Sequence, residues 1–376
     1  MRRSVLFVQP KLPGQFRQQI SRELSRPDTD ILLLSNVSFG LADVPKGAVH
    51  ELYGNPANGA PVDPLCAEFN TAISTGQEVE KAALKLKQRG YYPDTIVAYY
   101  GYGESLFLRG VFPNARIVTF FEYFYGLKDG AMNFDPEFRQ PEAEILRRSK
   151  ARNAVALMAL HDCDEGIVPT KWQFSRLPEE YRHKIRIVPD EIDRDLNKPD
   201  PNAVFKLDGI EFTKRDRVIS YCARALEPTR GIHILMRSLP RLMALAPDAH
   251  VVIVGKAATA YDPPLPNGQA YRDKYLGEVR DKIDLKRLHM VGWLDRKNLT
   301  ELFQVSSCHV YLTTPFVVSW SLREALACQT PVVASNTAPV QEFIEHGKNG
   351  YLVDFFDYNR LADTVSKTVS QQRKFA

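Results

Sequence analysis

No apolar run in this sequence reaches the ~18 to 20 residues that a membrane-spanning helix needs. Its first residues, MRRSVLFVQPKLPG, lack the long apolar region and the small-residue cleavage site of a signal peptide. Disulfide spacing is absent as well, because the five cysteines are scattered, odd in number and mostly set in apolar contexts. These absences predict a cytoplasmic protein with buried free thiols.

Strong charge and metal-ligand spacing are also missing. The formal net charge of +4 over 376 residues is too small to indicate nucleic-acid binding. Two Asp-x-Asp pairs, Asp28 with Asp30 and Asp162 with Asp164, do not follow apolar strands, so we interpret them as loop or cap acids. The histidines show no ligand spacing. The sequence therefore predicts neither a metal site nor a bound cofactor.

What is present is a regular alternation of short apolar runs and helix-period segments, which is typical of parallel sheets with crossover helices. A chain of 376 residues exceeds the usual span of one such core, so two domains are predicted. The rhythm breaks at residues 196–214, where prolines and mixed charge predict a linker between domains at 1–195 and 215–376. The predicted strands are 4–9, 30–35, 95–100, 116–121, 166–169, 185–188, 216–222, 250–255, 287–292, 309–313, 331–335 and 350–354.

Two arginines follow the predicted strand DRVISYC. Arg224 is expected in the loop, and Arg230 stands beside Gly231 at the start of a helix. Helix N-termini favour negative charge and arginine forks bind phosphate oxygens, so this pair indicates a site for a polyanion. Two alternatives stay open: both arginines are ordinary surface residues, or one of them pairs with Glu227.

A second strand end and helix start occur in PFVVSWSLREALACQTPVVAS, residues 315–335. Ser319 or Ser321 is expected to cap the helix, Leu322 to offer a backbone N–H group, and Glu324 to lie in the first turn. Glu324 then has two alternative roles. It either compensates the helix dipole on an exposed face or holds the paired hydroxyls of a ribose.

The densest basic segment is LRRSKARN, residues 146–153, on a predicted helix. One interpretation is a solvated helix face. The other is a weak peripheral contact with anionic lipid headgroups or another acidic acceptor.

The segment REALACQTPVVASNTAPVQEFIEHGKNGYLVDFFD resembles the C-terminal signature of the family 4 glycosyltransferases. Upstream, Arg224 and Arg230 resemble the family's basic pair on the donor diphosphate. VPDEID at 188–193 resembles its Val-Pro-Asn-Gly-Val-Asp turn, and LFVQPKLPGQF resembles its first strand and glycine loop. The resemblance implies an α/β fold of the GT-B class, in which two Rossmann-like doubly wound domains face each other across a cleft.

The same resemblance implies a function. The C-terminal domain would bind a nucleotide-diphosphate sugar of the UDP or GDP type, and the N-terminal domain would bind an acceptor. The acceptor would be a glycan, a lipid-linked sugar or another hydroxyl compound, and transfer would retain the anomeric configuration. Arg224 and Arg230 would stabilise the diphosphate, which makes a metal unnecessary.

The remaining implied site residues fall into three groups. Glu122, at the end of the strand RIVTFF, would face the sugar or would only cap the next turn. Gly14 and Gln15 would line the acceptor side. The donor-binding residues would be Gly292, Trp293, Phe316, Val317, Val318, Ser319, Trp320, Ser321, Leu322 and Glu324.

Three departures from the family's pattern leave other functions open. Phe316 replaces the first Glu of the family's Glu-x7-Glu pair, as in a subgroup with a Pro-Phe-Val-x-Ser-Trp-Ser motif. Glu122 stands where many members have a His, and the chain ends at Ala376, before the helices that usually follow. The alternatives are a catalytically silent GT-B scaffold that binds nucleotide and a sugar-nucleotide 2-epimerase, which needs no acceptor.

Overall fold

Parallel β-sheets form the centre of both halves of the chain. The computed structural model describes residues 2–39, 45–56 and 63–371. The chain divides into two units, Met1–Glu191 and Ile192–Ala376, each with its own sheet. Within the described part of the chain, no helix is both long and apolar enough to cross a bilayer.

The first unit contains a seven-stranded sheet with the order β3-β2-β1-β4-β5-β6-β7, and all of its pairings are parallel. Its strands are β1 (Arg3–Val8), β2 (Thr29–Asn36), β3 (Val49–Tyr53), β4 (Thr95–Tyr99), β5 (Arg116–Phe120), β6 (Glu165–Val168) and β7 (Ile185–Ile187). Its helices are α1 (Arg17–Leu24), α2 (Ala67–Gln88), α3 (Leu108–Val111), α4 (Glu142–Asp162) and α5 (Lys171–Arg176).

Both faces of this sheet are buried. Successive strand residues point to opposite sides, so an apolar strand contributes side chains to a core layer on each face. Leu6 and Val8 pack into one apolar cluster, which includes Val79 of α2. Val5 and Phe7 belong to a second cluster. An apolar run that continues through β1 therefore supplies both layers of the core.

The second unit contains a six-stranded parallel sheet with the order β12-β11-β10-β13-β14-β15 and a separate antiparallel hairpin. Its strands are β8 (Phe205–Leu207), β9 (Ile210–Phe212), β10 (Val218–Ala225), β11 (His250–Lys256), β12 (Leu288–Val291), β13 (Cys308–Tyr311), β14 (Val332–Ser335) and β15 (Tyr351–Val353). Its helices are α6 (Ile232–Leu245), α7 (Tyr271–Val279), α8 (Arg296–Val305), α9 (Trp320–Ala327), α10 (Ala338–Gln341) and α11 (Tyr358–Gln371).

Every strand predicted from the sequence is present, with ends shifted by a few residues. Three strands were not predicted: β3 and the hairpin pair β8 and β9. The hairpin lies within residues 196–214, and its Phe205 and Phe212 are buried in a core cluster with Val218 and Val252. The segment predicted as a linker is therefore packed as part of the second unit.

The cysteines are free thiols. Cys66 is exposed, Cys222 is half-buried, and Cys163, Cys308 and Cys328 are buried.

Candidate functional site

The strand order of the second sheet reverses between β10 and β13, so their following loops diverge at the carboxyl edge of the sheet. In open α/β sheets such a switch point is where ligands bind. A short turn, Pro228–Arg230, joins β10 to α6, and residues 312–319 join β13 to α9. Thr314 donates its backbone N–H to the carbonyl of Thr229 at 3.0 Å, which ties the two loops together.

Arg230 is a buried cation at this edge, with 5% of its surface exposed. Its Nη1 donates to Thr313 Oγ1 at 3.0 Å and to the carbonyl oxygen of Val317 at 2.8 Å. Among the described residues it forms no ion pair with a carboxylate. A buried charge is costly unless it is paired, so this guanidinium is suited to an anionic ligand.

Two aromatic rings flank the guanidinium. The carbon Cζ of Arg230 lies 5.3 Å from the ring centre of Tyr261 and 5.5 Å from that of Phe316. The two rings meet edge to face, with centres 4.8 Å apart at 62°. Aromatic faces attract cations and do not neutralise them, so they hold the arginine while its charge remains available.

Glu227 anchors the loop that carries Tyr261. Its Oε2 accepts the backbone N–H groups of Ala260, Tyr261 and Asp262 at 2.8, 3.0 and 3.0 Å. Burial raises the pKa of this carboxyl, and the three N–H bonds oppose that rise. The alternative that Glu227 pairs with an arginine is wrong, because its hydrogen bonds go to backbone.

Asp262 completes the link between the two loops. Its carboxylate accepts the backbone N–H of Thr229 at 2.7 Å and the Thr229 hydroxyl at 2.9 Å. Burial also raises the pKa of Asp262. The turn before Arg230 and the loop at 260–262 thus form one hydrogen-bonded unit.

Arg224 does not lie in a loop, as the sequence predicted. It is inside β10. This strand continues to Ala225, which pairs with Lys256 of β11 after a shift of register that follows Cys222. The Arg224 side chain is exposed. Of the two predicted arginines, Arg230 is therefore the one built into the loop at the switch point.

The start of α9 offers backbone rather than side-chain groups. Ser319 is the N-cap residue, but its hydroxyl lies 2.8 Å from Ser321 Oγ and caps no backbone N–H. The Ser319 N–H itself donates to the Tyr311 hydroxyl at 2.8 Å. No acid lies in the first turn. The positive end of the helix dipole is therefore not compensated by an acidic side chain.

Glu324 lies in the second turn of α9, not the first, because the helix begins at Trp320. Its side chain is buried, with 9% exposed, so dipole compensation on an exposed face is excluded. Burial raises its pKa, Arg296 opposes that rise, and Asp193 adds to it. Its carboxylate accepts no hydrogen bond from the part of the chain described here, which leaves both oxygens able to accept one.

The other predicted donor-binding residues, in the loop before α9 and in its first turn, have different surroundings. Val318 and Leu322 are buried in a core cluster with Val332 and Ala334 of β14. Trp320 is partly exposed.

An exposed tryptophan follows β12. Trp293 is 67% exposed, and Lys256 Nζ, at the end of neighbouring β11, lies 5.6 Å from its ring centre. Gly292 is exposed, and a Cβ placed on it would meet no atom within 4 Å. The ring of Trp293 is therefore an open planar surface at the same sheet edge as Arg230.

In the first unit, the strand order reverses between β1 and β4. Gly14, in the loop after β1, has a φ of +46°, and a Cβ there would lie 2.8 Å from the Gln9 amide nitrogen. That nitrogen donates to Gln15 Oε1 at 2.5 Å. The buried Gln9 Oε1 has no hydrogen-bond partner in the described chain. The left-handed backbone at Gly14 favours glycine, and the two glutamines form a polar pair beside it.

Glu122 follows β5 at the same edge. Its Oε2 accepts the Tyr99 hydroxyl at 2.6 Å, and its carbonyl accepts Gln173 Nε2 at 2.5 Å. Tyr99 contacts the ring of Tyr102, whose side chain is 52% exposed, with ring centres 5.7 Å apart. The Glu122 carboxylate accepts no backbone N–H from the described residues, which argues against a capping role.

Glu104 is a buried acid that sequence reasoning missed. It is fully buried in the loop after β4, and its Oε2 accepts the Tyr102 N–H at 3.2 Å. Burial raises its pKa to about 8. Its neighbours in GYGESL read as an ordinary turn, so the sequence offered no signal for burial.

The Asp-x-Asp pairs have structural partners. Asp30 pairs with Arg2 at 3.3 Å, and Asp164 pairs with Arg109 at 2.6 Å. No cluster of three or more potential metal ligands occurs among the described residues.

The basic segment 146–153 lies on α4 and is partly engaged. Arg148 donates to Gln140 Oε1 at 2.7 Å, and Arg152 pairs with Glu68 at 2.6 Å. Leu146, Arg147 and Lys150 are exposed.

Solved structures of the GT-B class share this fold. Sucrose-phosphate synthase from Thermosynechococcus elongatus is similar with a TM-score of 0.70 and 17% identity, over 99% of this chain and 94% of that chain. Anabaena HepE in complex with UDP-glucose is similar with a TM-score of 0.62 and 17% identity, over 99% and 91%. The predicted fold class, GT-B with two Rossmann-like domains, is confirmed.

Family models place the chain more closely. Residues 40–196 match the Glycosyl transferase family 4 group, and residues 206–375 match Glycosyl transferases group 1. The chain therefore carries domains that match the family 4 and group 1 glycosyltransferases. A GDP-mannose-dependent alpha-(1-6)-phosphatidylinositol monomannoside mannosyltransferase from Mycolicibacterium smegmatis is 26% identical over 191 residues, 50% of this chain and 48% of that protein. The chain spans about half the length of the curated relatives it matches.

Proposed function

We propose that this protein is a retaining glycosyltransferase, which moves a sugar from a nucleotide-diphosphate sugar to an acceptor hydroxyl without a metal. We also assign it to the family 4 subgroup in which Phe316 replaces the first Glu of the Glu-x7-Glu pair. The donor's nucleotide binds the second unit and the acceptor binds the first.

The observation that carries the proposal is the buried guanidinium of Arg230, which lacks a carboxylate partner at the switch point of the second sheet. Breaking the bond between sugar and phosphate leaves a diphosphate anion. A fixed cation in a poorly solvated site stabilises that anion as its charge develops. The N-terminus of α9 adds its dipole, and the exposed Arg224 adds a second positive charge.

Two further features support a nucleotide beside the diphosphate. Glu324 accepts the hydroxyls of the ribose, and Trp293 provides a surface on which the base stacks. The loop from Phe316 to Leu322 gives backbone groups to the sugar and diphosphate. The names of two similar proteins refer to UDP-glucose and GDP-mannose, so the donor is of the UDP or GDP type.

The first unit handles the acceptor in this proposal. Gly14 and Gln15 line its binding site, and Glu122 faces the sugar, held by the Tyr99 hydroxyl. The acceptor hydroxyl attacks from the face that the diphosphate leaves, and the leaving diphosphate takes its proton. For a lipid-linked acceptor, exposed Arg147 and Lys150 provide a weak peripheral contact with an anionic bilayer.

A panel of nucleotide sugars tests the proposal. UDP- and GDP-hexoses are first ranked by the rise in melting temperature that they cause, since a ligand that binds only the folded state must raise it. The best donor is then incubated with candidate acceptors, with and without EDTA, and the anomeric configuration of the product is read by NMR. We expect retained configuration and no effect of EDTA.

Four outcomes contradict the proposal. An inverted product removes the retaining mechanism, and loss of turnover with EDTA removes metal independence. Release of an epimerised nucleotide sugar without acceptor identifies an epimerase, whereas tight binding without turnover for any acceptor identifies a scaffold.

A further inference from the structure

The contacts of Arg230 raise a question that the diphosphate site alone does not answer: what holds a charged guanidinium where it has no carboxylate partner? A buried arginine is often paired with a carboxylate, frequently through two hydrogen bonds, and the pair then carries no net charge. Here the partners are neutral: the Thr313 hydroxyl and the Val317 carbonyl accept from Nη1, and the Tyr261 side chain is a further hydrogen-bond partner.

We propose that Tyr261, Phe316 and Glu227 are positioning residues that hold the Arg230 guanidinium for the donor diphosphate. The inference rests on the proposed function and adds to it the residues that act through Arg230. Tyr261 and Phe316 form an aromatic clamp, with ring centres 5.3 and 5.5 Å from the guanidinium carbon.

The geometry of the clamp restricts motion without neutralising charge. The two rings touch each other edge to face, so neither can shift alone. Phe316 is 5% exposed, which excludes water from its side of the guanidinium. The aromatic residue at 316 therefore adds no negative charge beside the guanidinium, and the nearby Asp262 carboxylate interacts with Arg230 only electrostatically.

Glu227 acts on Arg230 indirectly, by fixing the position of Tyr261. A single carboxylate oxygen accepts three consecutive backbone N–H groups, which fixes the turn at 260–262. Asp262 ties the same turn to Thr229, the residue before Arg230. The ring of Tyr261 and the backbone of Arg230 are thus held in one frame, although 31 positions separate them in sequence.

The test compares ligands that differ only in the diphosphate. Affinities of the full-length protein for UDP, GDP, uridine and guanosine are measured by calorimetry. For Tyr261→Leu and Phe316→Leu we expect the affinity for the better diphosphate to fall about five- to thirtyfold, and the affinity for its nucleoside to stay unchanged. Tyr261→Phe and Phe316→Tyr keep the rings, so their losses of affinity should be smaller than those of the Leu variants. Tyr358→Leu, a partly exposed tyrosine of α11, is the matched control.

Glu227 is tested by a double-mutant cycle. Glu227→Ala should weaken diphosphate binding as much as Tyr261→Leu, and the double variant should be no weaker than either, because both changes act through one ring. Glu227→Gln keeps an oxygen that can accept the N–H groups, so it should restore most of the affinity. Additive losses would show that Glu227 does not act through Tyr261, and would overturn its part of the inference.

Two failures can be told apart. If Arg230→Ala binds the diphosphate as tightly as the parent, Arg230 does not bind the diphosphate, and the proposed function loses the observation that carries it. If Arg230→Ala loses affinity while Tyr261→Leu and Phe316→Leu retain it, the clamp alone is overturned. Equal losses for diphosphate and nucleoside would mean that the rings only support the fold, and would also overturn the clamp.

Discussion

Replacing Glu324 by Gln should make the protein more stable and less able to bind its donor. Glu324 as a residue is 9% exposed and its carboxylate accepts no hydrogen bond from the described chain, so no protein hydrogen bond compensates its burial. An uncompensated buried polar group costs about 1 to 3 kcal/mol, and more when it is charged. Gln has the same shape but no charge. We expect Glu324→Gln to raise the free energy of unfolding at pH 7 by about 1 kcal/mol.

The gain in the free energy of unfolding should increase with pH. Burial raises the pKa of Glu324 above its value in the unfolded chain. The unfolded chain then releases its proton at lower pH than the folded protein, so stability falls as pH rises through the interval between the two pKa values. Below the unfolded pKa, near 4.5, the carboxyl is neutral in both states. The difference between Glu324→Gln and the parent should therefore vanish there and grow towards pH 7.

Urea unfolding followed by circular dichroism, at pH 4 and pH 7, measures this difference. Affinity for UDP and GDP, compared with the 2′-deoxy diphosphates, reports the role in ribose binding. The parent should discriminate against the deoxy forms, and Glu324→Gln should discriminate less. If Glu324→Gln instead lowers the free energy of unfolding at pH 7, the carboxylate supports the fold, and the assignment to the ribose is refuted.

Three other predictions concern single residues. Trp293→Ala should weaken uridine or guanosine binding about tenfold and change the free energy of unfolding by less than about 0.5 kcal/mol, because the ring is mostly exposed; unchanged nucleoside affinity in calorimetry would contradict this. Burial lowers the pKa of His309 to about 3, so its stabilisation is complete above pH 6.5 and is lost as pH falls towards 3. In urea unfolding, the free energy of unfolding of His309→Gln should therefore fall less between pH 7 and pH 5 than that of the parent. An equal fall would refute this prediction. Gly14→Ala should cost about 1 to 2 kcal/mol, more than Gly90→Ala, because both have positive φ but only Gly14 faces the Gln9 amide; equal melting temperatures for the two variants would contradict it.

Strands with continuous apolar runs were predictable from the sequence, whereas β3 was not. β1 contains VLFV and is buried on both faces, so its apolar residues are consecutive in the sequence. β3 reads VHELY and lies at the edge of its sheet, where two of its five residues are exposed and only one is buried. The hairpin of β8 and β9 was hidden by prolines and charges around two phenylalanines. Its burial depends on contacts with β10 and β11, which no local pattern encodes.

At the site, sequence reasoning found the residues next to strand ends and missed those that arrive from elsewhere. Arg230 and Glu324 stand beside apolar runs, and the structure places both at buried positions near the carboxyl edge. Tyr261 stands in a loop rich in proline. Both α6 and β11 lie between it and Arg230 in the sequence, so no local pattern reveals their contact. Phe316 was noticed as a missing carboxylate, but only the folded loops reveal the ring's position against the guanidinium.

The most direct test of the central claim is the turnover of the best nucleotide sugar by the parent protein and by Arg230→Ala, with folding checked by circular dichroism. If Arg230 stabilises the leaving diphosphate, kcat should fall by about a hundredfold to a thousandfold, which is typical for loss of one such donor. An Arg230→Ala protein that is folded and transfers sugar at the parent's rate would contradict the account.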